Sequence, residues 1–336
     1  MKPRIVKLGV GTLLLLLAVS IFLIWPRKPA AGEEAYVGER TLTVYSRLSQ
    51  VRESVATLRY GERVAVLDHK KEQAQLRTAS GVVGWTEQRY LMDAALWHRA
   101  GELHGRARDL PVQAHAHTRA PTNVRIGPGR TGARIFQFPG AVPLEILERA
   151  VAEVKPGGEE SSPASSANAS NDEEVKKEDW VFVRGTTEVA GEVAGWVLRR
   201  FIDLDTPQEI ADYSAGFRFV AWFELNRVAD GDKMRPEYLA AGVQGGDGQP
   251  CDFTLLRVYT WGAERRRYET AYIEGRLCGH FPIRAQAASS GGDAGFSFTN
   301  KGKAGEESRE YKMHQTSVHR IDLQKRRRAA ASRPHN

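Results

Sequence analysis

Short apolar runs interrupted by polar residues dominate the chain, often at the period of two expected of half-buried strands. From Ala35 onward the runs are Tyr36-Val37, Leu42-Thr43-Val44-Tyr45, Val55-Ala56-Thr57-Leu58, Val64-Ala65-Val66-Leu67 and Ala74-Gln75-Leu76-Arg77. They are separated by turn residues such as Tyr60-Gly61-Glu62, so a small all-β barrel is predicted over residues 35 to 92. Its closing phrase is Gly84-Trp85 followed by Arg89-Tyr90-Leu91. The phrase returns as Gly195-Trp196 followed by Arg200-Phe201-Ile202. That internal repeat predicts a second barrel over residues 113 to 204, with strands near residues 122 to 126, 142 to 147, 180 to 184 and 195 to 197.

Helical spacing is rarer. Leu96, Ala100, Leu103 and Ala107 form one stripe, predicting a linker helix within residues 93 to 112 that ends before Pro111. Thr206-Pro207-Gln208-Glu209 reads as a capping box with Pro207 at the first helical position, and Gly216 closes that short helix. It opens a third unit, residues 205 to 324, where the pattern returns to β with Phe217 to Leu225 as a strongly apolar strand. Residues 252 to 261 and 268 to 277 form a hairpin in which Trp261 meets Tyr268 and Tyr259 meets Thr270. The same register sets Leu256 against Ile273, Val258 against Ala271 and Cys251 against Cys278, so a disulfide across the hairpin base is predicted. Phe296-Ser297-Phe298, residues 310 to 313 and residues 318 to 323 complete an expected sheet of six strands.

Residues 153 to 178 are rich in Ser, Glu, Ala and Asn and poor in large apolar residues, the composition of a disordered insertion between two strands of the second barrel. Residues 8 to 25 are uncharged and span roughly 27 Å as a helix, close to the thickness of a bilayer core. The expectation is an N-terminal membrane anchor within residues 1 to 34, with a cleaved signal as the alternative. The chain is then a single-pass protein of a bacterial inner membrane, with its body exported to the periplasm or cell surface. A disulfide suits that compartment.

Charge narrows the partners. The net charge is +7, but five basic residues precede residue 29 and five more lie in the tail, residues 325 to 336, with no acid in either stretch. The remainder carries 38 basic against 41 acidic groups, which excludes a broad phosphate-binding footprint and argues against nucleic acid. The basic tail has anionic polymer or lipid as its possible contact, but reads more simply as a solvated end.

The ordered pattern Leu58-x-x-Gly61-Glu62-x-Val64-x-Val66-Leu67, then Leu76-Arg77-Thr78 and Gly81-x-x-Gly84-Trp85, resembles the bacterial SH3 domain of exported envelope proteins. In the second copy Thr122-Asn123-Val124-Arg125-Ile126-Gly127-Pro128-Gly129 is similar to the opening of that family, whereas the first copy departs from it with Thr43-Val44-Tyr45-Ser46. The segment from Tyr259-x-Trp261 through residues 268 to 274 to Phe281-Pro282 is similar to a C-terminal domain found behind paired bacterial SH3 domains. The resemblance implies a mainly β protein with two SH3-like barrels. It also implies groove residues at Tyr45, Trp85, Tyr90, Arg125, Trp196 and Phe201, with core packing the favoured role for Trp85 and Trp196.

No nucleophile elbow, phosphate-binding loop, zincin helix or dinucleotide fingerprint occurs, and no cofactor or catalytic residue is expected. His115 and His117 share one side of a strand but lack a third donor for a metal. Glu269 and Glu274 read as a charged rim beside Arg257, Arg265 and Arg276. The expected function is a non-catalytic envelope-binding protein that holds peptidoglycan peptides of the cell wall or a partner envelope protein. A structural scaffold of an envelope complex is the alternative. An enzyme would need a cleft among Trp222, Tyr259 and Tyr272. Ligand identity and oligomeric state are left open.

Overall fold

The computed structural model describes residues 32–154, 176–214, 216–289 and 292–321. It is mainly β, with four antiparallel sheets and two α-helices. The expected anchor and the basic tail lie outside the described residues, as does most of the expected insertion. Among the described residues no helix is long and apolar enough to cross a membrane.

The first sheet module holds β1 (Glu33–Val37), β2 (Thr41–Tyr45), β3 (Ser54–Arg59), β4 (Arg63–Lys70), β5 (Gln73–Arg77), β6 (Val83–Glu87) and β7 (Leu91–Asp93). The second holds β8 (Ala114–Thr118), β9 (Thr122–Arg125), β10 (Arg134–Phe138), β11 (Pro143–Glu153), β12 (Lys177–Thr187), β13 (Gly191–Leu198) and β14 (Ile202–Leu204). Their strand orders, β3-β2-β6-β5-β4-β1-β7 and β10-β9-β13-β12-β11-β8-β14, are the same order seven strands apart. Even the irregularities match. The register shifts past Leu67, between Val66 and Asp68, and past Leu147, between Ile146 and Glu148.

The Gly-Trp phrase has a structural cause. A Cβ on Gly84 would stand 2.6 Å from Val44 Cγ1 and 2.7 Å from the Tyr45 carbonyl; on Gly195 it would stand 2.5 Å from Val124 Cγ1 and 3.0 Å from the Arg125 carbonyl. Each glycine lets its strand cross the neighbouring one, which sets Trp85 opposite Tyr45 and Trp196 opposite Arg125.

Between the modules runs α1 (Ala94–Asp109), capped by the Asp93 carboxylate, which accepts from Leu96 N at 2.6 Å. Leu96, Ala100 and Ala107 of the expected stripe are buried, while Gly101 and Gly105 face open space. Tyr36 stacks on Trp97 with ring centroids 4.9 Å apart, and Tyr60 sets an edge against both Trp97 and Phe136. Burial there pushes the Tyr60 phenol up to about 12. This aromatic bracket ties the first module, the helix and the second module into one packed body.

Strands β11 and β12 run into both ends of the expected insertion, with Glu153 paired to Lys177 and Val154 N donating to Lys176 O. The segment that composition marks as unstructured thus begins and ends inside a hairpin. Main-chain pairing there, and the two bonds that Arg130 donates to Glu178, supply what apolar burial does not.

The C-terminal unit corrects the expected six-stranded sheet. Sheet three is β15 (Arg218–Asp230), β16 (Lys233–Val243), β17 (Leu255–Gly262) and β18 (Arg267–Glu274); sheet four is β19 (Gly279–Gln286), β20 (Ala294–Gly302), β21 (Gly305–His314) and β22 (Ser317–Ile321). Leu239, Val258 and Phe253 share one core with Ile283, Phe296 and Met313, so the two sheets pack face to face. The hairpin of β17 and β18 keeps the predicted register at Trp261–Tyr268 and Tyr259–Thr270, then bulges. Beyond the bulge Val258 faces Tyr272, Arg257 faces Ile273 and Leu256 faces Glu274, one residue off the expected pairs. The Cys251–Cys278 disulfide forms nonetheless, with Cα atoms 4.9 Å apart. The bulge is absorbed because these cysteines lie past the strand ends, beside an isolated bridge between Phe253 and Gly279.

The short helix α2 (Gln208–Ala211) also departs from expectation. Pro207 is its N-cap, and no side chain caps it; the Pro207 carbonyl accepts from Ile210 N and Ala211 N instead. Ile210 drops into an aromatic layer of Tyr238, Tyr259 and Tyr268 on the outer face of sheet three.

A buried charge network joins the second module to this unit. Arg149 donates to Asp179 at 2.6 Å, to Asp252 at 3.2 Å and to the Gln249 and Cys251 carbonyls, with 5% of its side chain exposed. Gln113 adds a backbone mimic: its amide bonds both the N–H and the carbonyl of Ile283.

Candidate functional site

Three of the expected groove residues, Tyr45, Tyr90 and Arg125, converge on a cleft of about 970 Å³ between the two modules. The first module contributes the outward positions of β2, Thr41, Thr43 and Tyr45, with Glu87, Arg89 and Tyr90 from the exit of β6. The second contributes Asn123 and Arg125 from β9, the turn from Arg130 to Ala133, and Arg134 and Gln137 from β10. Strand alternation explains most of this set, since the alternate residues Val44 and Val124 face the cores, while Leu42 reaches the lining from a nearly buried position.

The lining carries five guanidinium groups, Arg52, Arg89, Arg125, Arg130 and Arg134, against two carboxylates, Glu39 and Glu87. Each is placed by a neighbour. Arg52 lies 3.9 Å above the Tyr45 ring. Arg89 bonds Glu87 at 2.7 Å and donates to the Tyr90 hydroxyl at 2.9 Å, while Arg134 approaches the same ring and pairs with Glu39. Arg125 donates to the Gly132 carbonyl at 2.7 Å, which holds the turn it precedes. Arg130 grips Glu178 through two bonds; those bonds hold the Glu178 carboxyl below the usual range against the opposing effect of burial. The result is a polar, basic cleft with an aromatic floor, in which Arg89, Arg130 and Arg134 each meet a carboxylate of the chain.

The other three expected residues lie elsewhere. Trp196 is 7% exposed beneath α1, clustered with Ala107, Leu147 and Phe182, so it packs in the core of the second module. Phe201 packs at the edge of that cluster, under the Arg200 guanidinium. Trp85 is half-buried on the first module, outside the cleft lining. Residue-by-residue reading missed Glu39, Arg52, Arg89 and Arg134. They sit in or beside turns, and the cleft exists only once two modules are packed.

Among the described residues none of the other three chemical candidates assembles into a site. Both oxygens of Glu274 are engaged, one by Arg309 at 2.6 Å and the other by the Tyr272 and Tyr311 hydroxyls, while Glu269 pairs with Arg265 and Arg267. Trp222 and Tyr259 belong to the outer layer of sheet three and Tyr272 to the core between the sheets, so the three lie on opposite faces of that sheet. His117 bonds Asp205 at 2.6 Å, and among the described residues no group of three His, Cys, Asp or Glu side chains is set to hold a metal.

No protein-family model and no curated protein matches this sequence. Among solved structures the chain is similar to an NlpC/P60 family protein from Bacillus cereus, at 12% identity and a TM-score of 0.20 over 52% of this chain. It spans 57% of that protein. NlpC2 from Trichomonas vaginalis is similar at 9% identity and a TM-score of 0.17, with 87% of this chain and 92% of that one covered. NlpC1 from the same organism is similar at 10% identity and a TM-score of 0.17, with 87% and 88% covered.

Proposed function

We propose that the chain is a non-catalytic, membrane-anchored protein of the bacterial envelope whose two SH3-like modules hold a peptidoglycan stem peptide in the cleft between them. The observation that carries this reading is the convergence of Tyr45, Tyr90 and Arg125 on one cleft with a surplus of guanidinium over carboxylate. Stem peptides are short, flexible and rich in free carboxylates. An aromatic floor supplies contact area, and forked guanidinium donors match carboxylates in pairs.

The test is calorimetric titration of purified stem peptides into the full chain, alongside co-sedimentation with cell-wall sacculi. The wild type should bind with a heat that falls as salt rises. Tyr90→Ala and Arg52→Ala should each weaken binding about tenfold, about 1.4 kcal/mol, without unfolding the chain. Equal binding by wild type and both folded variants would place the ligand outside the cleft.

A further inference from the structure

The two modules repeat each other strand for strand, but only one of them wears a helix. In the second module α1 lies over β13, β10 and β12. Beneath it Leu147 is 0% exposed and Ala194 2%, clustered with Ala107 of the helix. Register assigns each a counterpart on the first module. Leu67 is skipped by the same register shift as Leu147, and Val83 precedes Gly84 as Ala194 precedes Gly195. The counterparts are not covered: Val83 is 42% exposed, and Leu67, with the neighbouring Trp85, is half-buried. Among the described residues no helix lies over them.

The polar rim is duplicated too. On the second module Glu148 pairs with Arg106 of α1, and Arg184 donates to the Ala107 carbonyl at 3.1 Å, satisfying a helix C-terminus. Asp68 occupies the place of Glu148, opposite Gln75 as Glu148 is opposite Phe182. Arg77 occupies the place of Arg184, but faces Ala65 where Arg184 faces Glu145. Among the described residues no carboxylate pairs with Arg77.

The geometry points to this face of the first module as a docking surface for an amphipathic helix of a partner protein. The occupant presents small and aliphatic residues at the spacing of Leu96, Ala100, Leu103 and Ala107. It carries a basic residue in its last turn to meet Asp68, and ends where Arg77 can bond its final carbonyls. The internal twin is the template for each of these features. The chain's own apolar run, residues 8 to 25, is a poorer match, because it is apolar on every face and its nearest basic residues, Lys7, Arg27 and Lys28, lie outside it. Replacement of Phe182 by Gln75 makes the first face more polar than the second, as suits a surface that is wet when unoccupied.

The probe is a lactam-stapled, fluorescently labelled peptide of residues 93 to 112, titrated into the full chain and followed by anisotropy. Saturable binding is expected, weakened at least tenfold by Val83→Glu and by Asp68→Lys, both of which should retain the wild-type circular dichroism spectrum. A peptide carrying Arg106→Glu should bind Asp68→Lys better than it binds the wild type. Absence of saturable binding, affinity unchanged by Val83→Glu, or failure of the charge exchange to restore binding would each overturn the assignment. Stem-peptide binding, measured on the same variants, should be unchanged, which separates this surface from the cleft.

Discussion

Glu39 of the first module and Arg134 of the second form an ion pair across the cleft, with only 18% and 21% of their side chains exposed. Arg134 also faces the Tyr90 ring, so the pair sets both the spacing of the modules and one wall of the cleft. Reversal of either charge should cost about 1 to 2 kcal/mol in denaturant unfolding and widen the particle in small-angle scattering. The double exchange Glu39→Arg with Arg134→Glu should recover most of both, which a pair of unrelated surface charges would not do.

Gly84→Ala and Gly195→Ala should behave alike. Each new methyl meets a valine side chain and a main-chain carbonyl of the crossing strand, and the carbonyl cannot turn aside. A loss of about 1 to 3 kcal/mol is expected for each in chemical denaturation. Gly101→Ala, on the open side of α1, should be neutral or stabilising by up to about 1 kcal/mol.

Asp179 anchors the joint to the C-terminal unit. Burial opposes its ionisation, but bonds from Arg149 and from Gly248 N prevail and hold its carboxyl below the usual range. A depressed carboxyl contributes stability above the unfolded value and loses it as pH falls through the folded one. Asp179→Asn should therefore destabilise by about 3 kcal/mol at neutral pH, since it leaves Arg149 buried without a full countercharge, and by less in acid. Thermal melts at pH 7 and pH 3 check this.

Glu237 should show the opposite dependence. It is fully buried, burial pushes its carboxyl up, and its oxygens accept from Asn226 and Thr260 rather than from a cation. A raised carboxyl favours the folded state at low pH and loses that advantage as pH climbs past the unfolded value. Glu237→Gln keeps an acceptor and removes the charge, so it should raise stability at pH 7 by about 1 kcal/mol and change little at pH 4. Melting curves of the two proteins across that range should converge as pH falls.

The modules were legible because their signals are local. Alternation located β1 to β5 of the first module and the Gly-Trp phrase located β6, but the three-residue β7 is too short to show a period; the stripe from Leu96 to Ala107 located α1. Sheet three was half legible: β16 hides because Lys233, Arg235, Pro236 and Glu237 precede its apolar end, and Pro236 speaks against a strand. Pro282 conceals β19 in the same way. The bulge between Val258 and Tyr259 cannot be read from pairs that look equally sensible in either register. The cleft was illegible as a unit, since Arg125 and Tyr90 come together through packing that no single module encodes.

The long hairpin of β11 and β12 has a counterpart in β4 and β5, which turn after Lys70 and return at Gln73. In the second copy the strands continue, and the added length carries Glu178 and Asp179, the acids that reach Arg130 on one side and Arg218 on the other. Two modules of one strand order thus differ in what a hairpin is for: the longer one is the socket in which the C-terminal unit sits, and the shorter one ends in solvent at exposed Lys70 and Lys71.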